Sequence, residues 1–469
     1  MVCKISWTFL VVFGVATISP VFSAGDHQTV GLNEVVFVIF SQPDSFHTRR
    51  AEVFMNKFKD HALELKEKTY TLLMLHDRWP EVGSWTLFPI IEDLAEIMDG
   101  KKWVFFSQVD TTVDVIKLLS VLQKYDHEKK IFLGKALRDK EFAIIHHFEE
   151  PNKYMYPDFA AGMALSRSLI NRLANILKIN TNNRNSFSID PKYEFAKFIY
   201  DEAKQIALTN VPEFCAGNEG PECVTGFPNK LPDCGRGISI DDVFFGVKTC
   251  KNFHTDRIPV IKDTWVKDVK HIKFFSDYED TSIPTINLGV KNTERGHCAK
   301  TLAILKNIFN NGETRDIDWI VIADDDTLIS VPRLRKFLAC FNPNESLAIG
   351  ERYGYRTSMG QGYDYLTGGA GMVLSRKALH RLIDTGLCRC SSDNAPDDMV
   401  IFGTCLLQLG IPVTHSPLFH QARVNDYSDG YLSHQLPISF HKFYANDPRK
   451  DYKRWLQDEN ILKRRHDEL

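Results

Sequence analysis

Short apolar runs alternate with amphipathic segments along most of the chain. The runs VFFGV (243–247), IKFFS (272–276) and WIVIA (319–323) are predicted to be buried strands, because each is short, continuous and bounded by polar residues. PRLRKFLACF (332–341) and SRKALHRLI (375–383) place apolar residues at helical spacing and are predicted to be helices. This alternation is typical of an α/β fold in which helices flank a mostly parallel sheet.

A further helix is predicted at DDMVIFGTCLLQLG (397–410). It begins with two acids, which the helix dipole favours at an N-terminus. Gly410 stands where a helix C-cap is expected.

The chain contains one pattern twice. Four words of the first half recur in the same order in the second: FVIFSQPDSFHTRR with FFGVKTCKNFHTDR, WVFFSQVDTT with WIVIADDDTL, AAGMALSRSLINRL with GAGMVLSRKALHRL, and VPEFC with SPLFH. Unrelated α/β segments share strands and helices but not matched words in register. The sequence therefore predicts two copies of one domain, residues 25–214 and 238–460, joined by a Cys-, Gly- and Pro-rich linker at 215–237.

Three acids directly follow the strand WIVIA, at Asp324, Asp325 and Asp326. The first copy has Gln108-Val109-Asp110 at the same place, Lys192-Tyr193 where the second has Asp397-Asp398, and Cys215 where the second has His420. Apolar and turn words survive in both copies, whereas most of these acids and the histidine do not. We interpret them as a site that only the second copy retains.

Carboxylates clustered at a strand end are suited to Mg²⁺ or Mn²⁺, and an added imidazole favours Mn²⁺. In α/β sheets, ligands bind beyond the carboxyl ends of the strands. Such an ion typically serves a diphosphate leaving group. The alternative is a solvated acidic turn.

The two ends of the chain carry targeting patterns. Residues 1–24 resemble a secretory signal peptide, with an uncleaved anchor as the alternative, and the tail 461–469 ends in the endoplasmic reticulum retrieval signal HDEL. These ends predict a soluble protein of the endoplasmic reticulum lumen, a retrieval receptor as partner, and no stable membrane anchor. The formal net charge of −3 offers no basic surface for nucleic acid.

Cysteine usage agrees with an oxidising compartment. Nine of the ten cysteines lie beyond the signal segment, so disulfides are expected and at least one thiol stays unpaired within the chain. Cys405 has Cys388 and Cys390 as alternative partners. The spacings do not form the two C-x-x-C pairs of a zinc site.

The words KTCKNFHTDRIPVIKDTW, FFSDYED, WIVIADDDTLI, YLTGGAGMVLSRKAL, APDDMVIFGTCLLQLGI and PLFHQ occur in this order. Together they resemble the Fringe-type β1,3-glycosyltransferases. The resemblance covers nearly the whole chain after the signal segment, although the first half is recognised mainly through the internal repeat. It implies two tandem GT-A (Fringe-like) domains with the second copy catalytic, and a UDP-sugar as donor. The duplication and the HDEL end narrow the resemblance to members that transfer glucose from UDP-glucose to O-linked fucose on thrombospondin type 1 repeats.

The resemblance also implies roles for single residues. Donor binding falls to Thr249, Arg257, Asp277, Asp324, Asp325, Gly368 and Gly369. Metal binding falls to Asp326 and His420, with Mn²⁺ as the ion and Mg²⁺ as an alternative. Asp398, with Asp397 as the alternative, would be the catalytic base.

Structural alternatives stand beside several of these roles. Arg257 is also interpretable as a surface ion pair, Asp397 as a helix cap, and Asp277 as a strand-end turn residue. His47 and His254 occur in both copies and are interpreted as structural.

Two other functions stay open at this point. The same machinery is compatible with galactose or N-acetylglucosamine as donor, or with another acceptor. A lumenal lectin-like or chaperone-like protein would also carry HDEL. The first copy, without the acids, is a candidate docking module for the folded acceptor.

Overall fold

The structure is a computed structural model that describes residues 29–179, 186–217 and 220–457. The signal segment (1–24) and the HDEL tail (461–469) lie outside these residues, so both stay predictions. Within the described ranges, no helix combines the length and the apolar character that crossing a membrane requires. We refer to residues 29–217 as the first half and to residues 238–457 as the second half.

The second half is built on a seven-stranded mixed sheet, here called the second sheet. From one edge its strands are Thr285–Asn287, His271–Ser276, Val243–Lys248, Trp319–Asp324, Met372–Ser375, Ala348–Gly350 and Val413–His415. Met372–Ser375 runs antiparallel to both of its neighbours, and the other pairs are parallel. The three strands predicted from VFFGV, IKFFS and WIVIA are confirmed.

The first half contains a six-stranded sheet, here called the first sheet. Its order is Thr71–Met74, Val35–Phe40, Trp103–Gln108, Met163–Ser166, Phe132–Gly134 and Thr209–Asn210. Met163–Ser166 alone runs against the others. Strand order and direction repeat those of the second sheet, once its extra edge strand Thr285–Asn287 is set aside.

Helices cover both sheets. In the first half they are Ser45–Glu64, Leu75–Arg78, Ile91–Ile97, Val115–Leu122, Arg167–Ile179 and Pro191–Glu202. In the second half they are Arg257–Asp263, Cys298–Asn310, Val331–Leu338, Arg376–Asp384, Asp397–Met399, Leu406–Gln408, Asp429–Ser433 and Pro448–Asp451.

The predicted helices form, with one irregularity. Val331–Leu338 and Arg376–Asp384 match the two amphipathic words. The segment that begins at Asp397 is helical, but Val400–Cys405 winds as a π-helix between two short α-helical pieces. Such π segments are frequent at functional sites. Gly410, at φ +60°, ends the helical run as predicted.

The central strands are apolar on both faces because helices bury both. Val243, Phe245 and Val247 contribute to one core, while Phe244 and Ile320 contribute to the core on the opposite face. This double burial explains why these strands read as continuous apolar runs rather than as an alternation.

The described part of the chain contains four disulfides: Cys215–Cys223, Cys234–Cys340, Cys298–Cys390 and Cys388–Cys405. Among the described cysteines, Cys250 is free and buried, which agrees with the odd count. The open choice for Cys405 is settled in favour of Cys388. Cys298–Cys390 joins the segment before Asp397 to the helix Cys298–Asn310, and Cys388–Cys405 joins the same segment to the π-helix Val400–Cys405.

The two halves are in direct contact. Trp85 Nε1 donates to Asp364 Oδ1 at 2.8 Å, and His434 Nε2 lies 2.7 Å from Asp158 Oδ2. Short strands formed by residues 187–188 and 352–355 pair across the boundary. The two halves are therefore joined both by side-chain contacts and by backbone pairing.

Candidate active site

Two strand ends place the first charged pair. Lys248 and Asp324 are register partners on neighbouring strands of the second sheet. Lys248 is buried, and its Nζ lies 3.0 Å from Asp324 Oδ1 and 2.7 Å from Asp397 Oδ2. Lysine is rarely buried unless it is paired, and here it links the acidic triplet to the Asp397-Asp398 segment.

Both carboxylate oxygens of Asp325 accept hydrogen bonds from polar side chains. Thr249 Oγ1 donates to its Oδ2 at 2.7 Å, and Arg257 Nη1 donates to its Oδ1 at 2.8 Å. Burial and the neighbouring Asp326 raise the pKa of Asp325 to about 6 despite these bonds. Arg257 also lies 3.0 Å from Asp326 Oδ2 and stacks on the ring of Phe253. It is therefore fixed in the site rather than held in a mobile surface pair.

Asp326 meets a histidine that sequence reasoning did not identify. The strands 327–329 and 439–441 pair with Thr327 opposite His441, which brings His441 Nε2 to 3.1 Å from Asp326 Oδ1. His441 Nδ1 lies 2.9 Å from the carbonyl oxygen of Gln421. A ring nitrogen fixed in this way leaves Nε2 as the ligand atom, as in many metal sites.

His420 is not in this group, so the geometry favours His441 over the predicted His420 as the histidine of a cation site. Its Nδ1 lies 3.0 Å from the Ser439 carbonyl oxygen and its Nε2 lies 3.1 Å from Gln435 Oε1. The ring stacks on Phe440 in the core, and burial lowers its pKa to about 4. Its lowered pKa makes His420 a neutral core residue, and each of its ring nitrogens faces a protein oxygen outside the acidic group.

The residues present fit a divalent ion. Asp324, Asp326 and His441 each offer a ligand atom, and these atoms lie within 4.8 Å of one another. Lys248 and Arg257 contact the triplet, but Lys248 is shared with Asp397, so negative charge remains in excess. Burial alone would lower the pKa of His441, yet the facing Asp326 raises it. Asp326 thus stabilises a proton on His441, and a cation bound between these two side chains would replace that proton.

The GGAG loop is held against this cluster. Thr327 Oγ1 donates to the Gly369 carbonyl oxygen at 2.9 Å. A Cβ atom at Gly369 would lie 2.2 Å from Nδ1 of His441, a clash that would require the ring to move. The position of the His441 ring therefore requires a glycine at residue 369. The donor-binding role of Gly368 and Gly369 stays a prediction.

Gly369→Ala should raise the Mn²⁺ concentration needed for half-maximal activity at least about tenfold, because it displaces His441. Gly368→Ala is the matched control, since its Cβ would meet only Lys248 Nζ at 3.9 Å. Metal titrations of both variants measure the effect. Equal metal requirements in the two variants would contradict this placement of His441.

The two adjacent acids Asp397 and Asp398 have different environments. Asp397 Oδ2 accepts from Lys248 Nζ and, at 2.6 Å, from Thr301 Oγ1. Burial would raise the pKa of Asp397, but Lys248 and Thr301 outweigh it and lower the pKa to about 2. Asp397 is thus a fixed anion, and it is neither a helix cap nor suited to accept a proton.

Asp398 is half-buried, and its Oδ1 accepts only from the adjacent Met399 N–H, at 2.8 Å, among the hydrogen bonds described. Burial and the charge of Asp397 raise its pKa to about 6. A carboxylate with a pKa near the working pH is what general base catalysis requires.

Asp277 lies at the end of the neighbouring strand 271–276. Its Oδ1 accepts from the Lys251 backbone N–H at 3.0 Å, so it holds the loop that carries Thr249. The structure brings Thr249, Arg257 and the triplet together directly, and it brings Asp277 to the rim of the same loop.

In the first half, the position equivalent to this site contacts the second half. Gln42, which corresponds to Thr249, bonds the His415 backbone twice, at 2.7 Å to N and 2.9 Å to O. Arg50 and Asp110, which correspond to Arg257 and Asp326, form an ion pair. The arginine–aspartate pair is therefore common to both halves, whereas the lysine, the further acids and His441 belong to the second half.

Comparison with known proteins agrees with this geometry. The Fringe-like family model matches residues 90–208 and 238–459. A beta-1,3-glucosyltransferase of Mus musculus is 48% identical over 92% of this chain and 88% of its own length, and that of Homo sapiens is 47% identical over 91% and 86%. A lunatic fringe beta-1,3-N-acetylglucosaminyltransferase of Danio rerio is 24% identical over 48% of this chain and 65% of its own length. The chain therefore belongs to the Fringe-like family of glycosyltransferases.

Proposed function

We propose that this enzyme transfers glucose from UDP-glucose, in β1,3 linkage, to O-linked fucose on thrombospondin type 1 repeats. The relatives that align over most of the chain are named for the glucosyl transfer. The acceptor and the nucleotide follow from the family resemblance of the sequence words.

One observation carries the proposal. The group Asp324, Asp326 and His441 lies at the carboxyl edge of the second sheet, joined through Lys248 and Asp397 to Asp398. A pure binding protein has little use for a cation site beside a carboxylate of raised pKa. A cation site together with such a carboxylate is suited to displacement of a nucleoside diphosphate from a sugar.

Asp398 acts on the acceptor. Its carboxylate takes the proton of the fucose 3-hydroxyl as that oxygen attacks the anomeric carbon. Attack opposite the leaving diphosphate inverts the configuration and gives a β-linked product. Asp397 stays ionised through Lys248 and Thr301, and its charge keeps the pKa of Asp398 raised.

Asp324, Asp326 and His441 would hold Mn²⁺, with Mg²⁺ as the alternative. The ion, when bound, supplies Lewis-acid neutralisation of the diphosphate leaving group. Arg257 is the protein cation placed to support the same charge, because its guanidinium already spans Asp325 and Asp326. Thr249 fixes Asp325, and so fixes the floor of the donor pocket.

We further propose that residues 25–214 and 238–460 are two GT-A copies and that only the second is catalytic. The matching strand order of the two sheets supports the duplication. The two hydrogen bonds between the Gln42 side chain and the His415 backbone support a non-catalytic role for the first half, because the position equivalent to Thr249 is used for packing. The location in the endoplasmic reticulum lumen stays a prediction from residues outside those described.

A donor screen tests the proposal. Residues 25–469 are incubated with Mn²⁺ and a folded, O-fucosylated thrombospondin repeat, and UDP-glucose, UDP-galactose and UDP-N-acetylglucosamine are compared by product mass. We expect a hexose gain from UDP-glucose alone. Transfer from another donor would keep the site but overturn the specificity, and no transfer from any donor by folded protein would favour a binding function.

A further inference from the structure

A strand of the first half extends a small sheet of the second half. Residues 187–188 pair antiparallel with the strand Arg352–Tyr355, with Phe187 opposite Tyr355. The Arg356 backbone N–H donates to the Ser186 carbonyl oxygen at 2.6 Å. Arg352–Tyr355 is the central strand of this three-stranded sheet, and its other neighbour is Tyr363–Leu366.

The sheet presents a row of aromatic rings. Phe187 and Tyr355 have ring centroids 5.4 Å apart, and Tyr355 and Tyr363 have centroids 5.7 Å apart. Phe187 is 39% exposed, and the two tyrosines are half-buried. Phe187, Tyr355 and Tyr363 therefore form a continuous surface, here called the aromatic platform, to which both halves contribute.

The platform lies next to the helical segment that carries Asp398. A Cβ at Gly403 would lie 2.9 Å from Cε2 of Tyr363 and 2.9 Å from Cβ of Tyr365, so this segment packs directly on the tyrosine strand. Burial raises the pKa of Tyr363, and the charges of Tyr355 and Asp398 add to it. The platform thus borders the helical segment that begins with Asp397 and Asp398.

We propose that the aromatic platform is the acceptor-sugar subsite, and that Phe187 is a residue through which the first half binds the acceptor. The inference rests on the proposed function, because it takes Asp398 as the base. Aromatic rings bind the apolar C–H face of a pyranose and leave its hydroxyls free. A 6-deoxyhexose such as fucose suits this surface well, since its methyl group replaces a polar hydroxymethyl group.

This placement predicts an effect on the sugar itself and not only on a protein acceptor. Phe187→Ala in the full chain should raise KM for methyl α-L-fucoside about threefold to tenfold, the loss typical of one aromatic contact. KM for UDP-glucose and UDP binding should stay unchanged, and Phe187→Trp should restore fucoside affinity. Phe142→Ala, a first-half phenylalanine that is 57% exposed, is the matched control and should have no effect.

Direct binding separates this inference from the proposed reaction. Saturation-transfer NMR of methyl α-L-fucoside, with UDP and Mg²⁺ present, should show binding to the wild-type protein that Phe187→Ala weakens. That result supports the platform even if the donor screen finds no glucosyl transfer. Unchanged fucoside KM and binding in Phe187→Ala, or no fucoside binding to the wild type, would overturn the platform while leaving glucosyl transfer to be judged by the screen.

Discussion

An Asp398→Asn enzyme is expected to transfer sugar about 10²- to 10⁴-fold more slowly than the wild-type enzyme, the range that loss of a general base produces. Asparagine keeps the size of the side chain and its bond to the Met399 N–H, but it cannot take the acceptor proton. UDP binding should persist, because the proposed donor-binding residues Thr249, Arg257 and the triplet are unchanged in this variant. Single-turnover kinetics with saturating UDP-glucose would measure the chemical step.

The pH profile offers a second test of the same residue. Burial and Asp397 raise the pKa of Asp398 to about 6. A base works in its ionised form, so kcat/KM of the wild-type enzyme should be highest above pH 6 and fall as the pH drops through 6. A plateau that continues well below pH 6 would argue against Asp398 as the base.

Asp397→Asn is the contrasting variant. Asp397 accepts bonds from Lys248 and Thr301, and Asn would leave a buried lysine short of its partner. Its main expected effect is therefore a lower unfolding temperature. Transfer that fails in Asp397→Asn while the fold stays intact, with transfer retained in Asp398→Asn, would exchange the roles of the two acids.

Much of the fold could be predicted because each of its elements leaves a local pattern. The strands 243–248, 271–276 and 319–324 are apolar on both faces, so they appear as short continuous runs. The two amphipathic helices carry helical spacing on one face. The π-helix at Val400–Cys405 could not be predicted, since it reflects the close approach of Gly403 to Tyr363 and Tyr365.

The candidate site was predictable where loss in the sister copy marks a residue. Asp324 and Asp325 follow that rule, whereas Asp326 has an aspartate, Asp110, at its place in the first copy. Lys248 would have followed the rule too, because Ser41 stands at its place in the first copy. His441 gave a weaker signal. It depends on the register of strand 439–441 against strand 327–329, a contact over more than a hundred residues that no local word records.

The sequence favours His420 because it stands in the family word PLFH and opposite Cys215 of the first copy. The structure places the two histidines in different surroundings. The word packs its histidine against Phe440 and Tyr427 in the core, whereas the next strand carries His441 to the surface of the site. Position in a motif constrains the backbone, but the partner of a side chain is set by tertiary pairing.

His441→Gln should raise the Mn²⁺ concentration for half-maximal activity at least about 100-fold, because it removes a ligand rather than its support. Metal titrations of sugar transfer would measure this, together with the unfolding temperature of the metal-free protein. The fold should persist, since the strand pairing of 439–441 uses backbone groups.

His420→Gln provides the matched control for this histidine. His420 is buried, and glutamine cannot keep both of its bonds, so the free energy of unfolding should fall by about 1–3 kcal/mol. The metal requirement should not change, because His420 is a core residue outside the group Asp324, Asp326 and His441. The opposite result, in which His420→Gln raises the metal requirement and His441→Gln does not, would assign the ligand role to His420. It would also show that Asp324, Asp326 and His441 do not form a cation site.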